Sequence, residues 1–167
     1  MKRLACFGIW LAMGAGAAFA HPDGAPWGAA DPAGAQSCNA CHFDYEPVRE
    51  SARVMLDGLP AMVRPGESYV LVLRLAPGET AVAGFLISAS AGAFHHAGKG
   101  VEANEQEIRS IAPSPATDGA QWRFRWTAPQ DVSGKIVFHA AINSANDDAS
   151  PFGDIIHFKT FTAEIGE

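Results

Sequence analysis

The feature that most limits what this chain can fold into is a repeated alternation of period two. In QWRFRWTAP, Trp122, Phe124 and Trp126 alternate with Arg123 and Arg125. In SYVLVLRLAP, Tyr69, Leu71, Leu73 and Leu75 fall on one face, with Val70, Val72 and Arg74 on the other. Such alternation puts successive side chains on opposite sides of an extended strand. KIVFHAAI places Ile136, Phe138, Ala140 and Ile142 against Val137, His139 and Ala141. DIIHFKTFTAEI places Ile156 and Phe158 opposite His157 and Lys159, and reads as Ile156 and Phe158 inward, His157 outward. AVAGFLISAS and SARVMLDG are further strand candidates. LPAMVRPGE, LAPGET and TAPQDVSG carry Pro and Gly where chain reversals belong. Only Asn104 to Ser110 reads as a helical turn or two. The expectation is an all-β, immunoglobulin-like antiparallel sandwich of six or seven strands.

The alternation starts near Ser51, and two other regions precede it. Lys2 and Arg3, a short apolar run from Leu4 to Ala18, and Ala18-Phe19-Ala20 form a secretory signal pattern with cleavage expected after Ala20. Cys6 leaves with it. Residues 21–50, rich in Gly, Ala, Pro and Asp, read as irregular chain in which Trp27 packs on something. The expected organisation is therefore 1–20 signal peptide, 21–50 irregular segment and 51–167 sandwich domain. The product is expected in the periplasm or outside the cell.

Charge narrows the partners. The chain carries −6 at neutral pH, and removing Lys2 and Arg3 makes the mature protein more acidic still. That balance gives no grip on nucleic acid or anionic lipid. No segment after the signal has the length and apolarity of a membrane span. Nothing resembles a nucleophile elbow, phosphate loop or paired-carboxylate motif, so the sequence makes no demand for catalysis.

The strongest chemical signal is Cys38-Asn39-Ala40-Cys41-His42. Two thiols at this spacing can add to the two vinyl groups of a haem, and the adjacent imidazole then ligates the iron as the proximal ligand. Cys38 and Cys41 are the only cysteines after the signal. Three other uses of the motif compete. A disulfide would close a very small loop and leave His42 unexplained. A thioredoxin-like redox pair needs a βαβ setting, and a zinc site needs distant ligands.

The sixth iron ligand is open. A hairpin with Ile142 opposite Asp154 would set His139 opposite His157, two imidazoles on one face. His95 and His96 in a Gly-flanked loop, then Met55 and Met62, are the other candidates, and the site could also be five-coordinate. His21, as a new N-terminus, offers an amine and a ring nitrogen for copper. Asn143 to Ser150 offers oxygen ligands for calcium, although the same residue types form turns.

Several segments together resemble the bacterial reelin-like family often labelled choice-of-anchor V: GAQSCNACH, LPAMVRPGESYVLVLRL, AGFLISASAG, WRFRWTAP, GKIVFHAAINSAN and SPFGDIIHF. The resemblance runs from about Gly34 to Phe161. It implies a reelin-like sandwich outside the cytoplasm with CxxCH at its front, here Cys38, Cys41 and His42. Where relatives carry aromatics in the last two strands, this chain has His139 and His157. The expected function is a monohaem electron carrier or haem-bearing module acting on a redox partner protein. A binding sandwich without redox role and a copper protein using His21 are the alternatives.

Overall fold

The computed structural model describes residues 24–34, 37–95 and 99–166. The signal pattern, His21 and His96 lie outside them. Among the described residues, eleven strands follow a single 3-10 turn at Cys38–Ala40: β1 Val54–Asp57, β2 Met62–Val63, β3 Ser68–Leu75, β4 Val82–Ala89, β5 Ala93–His95, β6 Val101–Ala103, β7 Glu107–Ser110, β8 Ser114–Pro115, β9 Ala120–Thr127, β10 Gly134–Ala145 and β11 Ile155–Ile165. They form two sheets, β1-β3-β9-β5 and β2-β11-β10-β4-β7-β6, with β8 on the end of β4. All pairings are antiparallel except β2 with β11.

The expected faces of β3, β9 and β10 are the observed ones. Leu71, Leu73, Leu75, Trp122, Phe124 and Trp126 of the first sheet pack against Phe85, Ile87, Ile108, Ile136, Phe138 and Ile142 of the second. Trp126 meets Phe138 edge-on at 5.0 Å, and Phe85 stacks on Phe124 at 5.8 Å. Each such side chain contributes roughly 1.5–3 kcal/mol through removal from water.

Two readings of the sequence are corrected. Asn104 to Ser110 is not helical. The Asn104 side chain accepts the amides of Gln106 and Glu107, and strand β7 then begins, with Ile108 in the core. A polar stretch with one deeply apolar position suits an asparagine turn followed by a strand.

The second correction concerns β10 and β11. Ile142 pairs with His157 and His139 with Thr160, so the register is displaced by three residues from the one that joins the two histidines. An odd displacement exchanges faces. His157 therefore points toward the sandwich interior, and His139 lies on the opposite face of the sheet. Ile156 and Phe158, expected inward, point outward with Ala141 and are buried there against Cys38. The outer face of this sheet has its own cover, the chain preceding the sandwich.

Candidate functional site

Three strands build the floor of the site. On the outer face, Val82 pairs with Ala145, Gly84 with Asn143 and Leu86 with Ala141, and β11 continues the rows as Ile156 and Phe158. Glycine and alanine at these positions leave a shallow trough where larger residues would stand up from the sheet. A Cβ on Gly84 would already come within 3.1 Å of Ser110 Oγ.

Residues 24–34 and 37–50 run over this floor. Ala29 and Ala30 are fully buried against Leu86, with Ala25, Trp27 and Cys38 alongside. β7 clamps the strap. The Arg109 guanidinium stacks 4.3 Å from the centre of the Trp27 ring and donates to the Ala25 carbonyl. The Glu107 carboxylate accepts the Gly28 amide at 2.9 Å, and Glu102 holds Arg109 in place at 2.8 Å. Trp27 thus packs on the sandwich through an arginine.

The chain then winds into the short helical turn. The amides of Cys41 and His42 both donate to the Cys38 carbonyl, at 3.4 and 3.2 Å. Residues three and four apart in such a turn share one side, so Cys38, Cys41 and His42 converge. Cys38 Sγ faces the Ala29 carbonyl at 3.4 Å and joins the two outer hydrophobic clusters. Burial pushes its thiol up to about 12. A reactive thiol pair needs the opposite, a thiolate favoured near neutrality. The two cysteines are unbridged.

His42 is oriented from below. Its Nδ1 lies 2.8 Å from an Asp154 carboxylate oxygen, and that oxygen also accepts from the Asn143 amide at 2.9 Å. Asp154 is almost wholly buried immediately before β11, and Asn143 stands at the floor. A carboxylate on Nδ1 fixes the tautomer and leaves Nε2 as the free donor, the usual arrangement behind a metal-bound histidine. The sequence marks neither Asp154 nor Asn143 as an imidazole partner. Their signal is faint: an Asp closing SPFGD, and an Asn at the head of a stretch whose residue types suit turns or calcium.

Cys38, Cys41 and His42 all line one cavity of about 370 Å³, walled by Ala25, Pro26, Val82, Ala112, Ala145 and Ile156 among others. Its size falls within the range of small-molecule and cofactor sites. Four buried polar atoms close by lack a protein partner: Ser37 Oγ, Asn39 Oδ1, Asn143 Oδ1 and Asp154 Oδ1. Buried polar groups are rarely left so. An apolar slot with two thiols, one oriented imidazole and unmet polar atoms at its edge fits a haem held through CxxCH.

The described distal candidates do not line this cavity. His95 is exposed on β5 and bonds Thr127 Oγ1 at 3.0 Å. His139 lies over a separate depression with Ser88, Asn104 and Glu107. Met55 and Met62 are exposed elsewhere. His157 belongs to a buried polar cluster at the end of the sandwich. Its Nδ1 is 3.0 Å from Ser51 Oγ, its Nε2 is 3.5 Å from Arg53, and Thr80 and Ser144 bond beside it at 2.5 Å. Burial, then the Arg53 charge, push His157 down to about 4.

The oxygens of Asn146 and Asp148 accept amides within their own loop. Among the described residues no three His, Cys, Asp or Glu side chains gather as a metal site, and no helix is long and apolar enough to cross a membrane.

No protein-family model matches this chain, and no curated protein matches it. Solved structures do. The Reelin-N domain of F-spondin superposes with a TM-score of 0.58 at 18% identity, covering 77% of this chain and 97% of that one. A human F-spondin reeler domain gives 0.53 at 18% identity, over 72% of this chain and 95% of that one. At this identity the likeness concerns architecture, and the fold of this chain is a reelin-like two-sheet sandwich.

Proposed function

We propose that this chain is an exported monohaem protein that holds its haem through Cys38, Cys41 and His42 and exchanges single electrons with another protein. The observation that carries the reading is the 2.8 Å contact from His42 Nδ1 to the buried Asp154 carboxylate, beside a cavity that both cysteines line. A histidine serving only as surface has no need of a buried carboxylate behind it.

Cys38 and Cys41 would hold the group through thioether bonds, each thiol adding across one vinyl double bond. The carbon–sulfur bond would form on one vinyl carbon and the thiol hydrogen would go to the other, with no leaving group. The bound group supplies reversible one-electron exchange at iron. The chain's residues do the rest. Asp154 and Asn143 hold the imidazole ring, and the carboxylate strengthens Nε2 as a donor. Ala29, Ala141 and Ile156 line the slot and exclude water from one side, and burial of this kind shapes a redox potential.

The test is mass spectrometry and absorbance of the full-length gene product, expressed in a host with complete cytochrome c maturation machinery. The expected product begins at His21, is heavier than its amino acids by one iron porphyrin, and keeps its colour through acid-acetone extraction. A colourless protein of bare polypeptide mass from that host overturns the reading.

A further inference from the structure

Beside the motif, two loops present an aromatic surface to solvent. Phe43, Tyr45 and Phe152 are 58%, 54% and 52% exposed. Phe43 and Phe152 pack edge to face at 5.7 Å. The Gly153 amide donates to Asp44 at 3.2 Å and ties the loops together. This patch is continuous with the site: Phe43 directly follows His42, and Phe152 precedes Asp154 by two residues. Exposed aromatics grouped on a held surface mark contact with another protein, where such side chains carry much of the binding energy.

The charge around them selects the partner. Asp44, Glu46, Asp147 and Asp148 are exposed in the same two loops, and Arg49 is the one cation in those stretches. The geometry points to a docking surface at Phe43, Tyr45 and Phe152 for a redox protein that presents a basic face. The aromatic centre gives contact beside the site, and the acidic ring steers the encounter and repels a second copy of this acidic chain. Redox encounters are typically small and transient, which suits a patch of three side chains. This inference rests on the haem reading.

The experiment uses the mature holoprotein and stopped-flow electron transfer with two probes, a strongly basic monohaem cytochrome c and an acidic one. With the basic probe, the rate is expected to fall at least about tenfold between roughly 20 mM and 300 mM salt. Combining Asp44→Asn, Glu46→Gln, Asp147→Asn and Asp148→Asn should remove most of that salt dependence. Phe43→Ser with Phe152→Ser should slow the reaction at every salt concentration. Mass and spectrum confirm that each variant still carries haem. Variant rates equal to wild type with haem intact overturn the docking surface and leave the haem reading standing. Faster reaction with the acidic probe does the same, as does a dimer by light scattering that Phe152→Ser dissociates. A wild-type protein without haem overturns both.

Discussion

His42 Nδ1 and an Asp154 carboxylate oxygen lie 2.8 Å apart, the imidazole just after a short turn that precedes the sandwich and the carboxylate immediately before its last strand. Folding of β11 therefore sets the orientation of a residue in the leading segment. A charged acceptor on Nδ1 makes Nε2 a stronger donor and favours the oxidised metal. Asp154→Asn keeps an acceptor and removes the charge. Its midpoint potential is expected to rise by several tens of millivolts, where about 59 mV is a tenfold change for one electron. Haem content by mass should be unchanged. Redox titration of the two proteins checks this, and an unchanged potential means that Asp154 only fills space.

The two cysteines differ in setting, so their loss should differ in kind. Cys38 is half-buried between two hydrophobic clusters, whereas Cys41 is exposed. Cys38→Ser puts a hydroxyl among Leu86, Ile156 and Phe158, at about 1–2 kcal/mol of stability in the haem-free chain. Cys41→Ser should leave that stability within about 0.5 kcal/mol. Each single variant should keep one thioether, and Cys38→Ala with Cys41→Ala none. Urea unfolding gives the first comparison and mass after acid-acetone treatment the second.

The trough exists because its floor is small. Ala145 is half-buried, lines the cavity and pairs with Val82 on the outer face. Ala145→Phe extends a ring into the slot without touching the sandwich interior. Covalent haem is expected to drop by more than about fivefold, while the far-ultraviolet circular dichroism and the unfolding midpoint stay near wild type, since substitutions away from the core change stability little. Full haem loading in this variant would place the ring elsewhere.

Much of this was legible in the chain. The faces of β3, β9 and β10 follow from Leu71, Trp122 and Phe138 recurring with period two, because one face of each is buried between the two sheets. β11 resisted the same reasoning. Ile156 and Phe158 look like core positions, yet they are buried outward, under Cys38. The cover comes from residues before the sandwich, a long-range contact that periodicity within one strand does not reveal. The same reversal turned His157 inward and separated it from His139. In the site, the cysteine spacing is plain, whereas the roles of Asp154 and Asn143 depend on a hairpin register that lies three residues from the one the sequence suggests.

His157 should govern the acid limb of stability and leave the haem spectrum alone. It is buried beside Ser51 and Arg53 and away from the cavity. Burial and the Arg53 charge hold it down to about 4 from an ordinary 6.5, so it is neutral in the folded protein at neutral pH. The unfolded chain takes up this proton near 6.5, before the folded one does. Stability is therefore full above pH 6.5 and is lost as pH falls through 6.5 toward 4, on the order of 2 kcal/mol after allowing for screening by solvent around Arg53. His157→Gln should flatten that limb, at some constant loss from the Ser51 contact. Urea titrations from pH 7.5 to about 4 on the Cys38→Ala, Cys41→Ala protein isolate the effect from the haem. In the holoprotein, His157→Gln and His139→Ala should both leave the axial spectrum unchanged. A low-spin to high-spin conversion in either would restore that histidine as the sixth ligand.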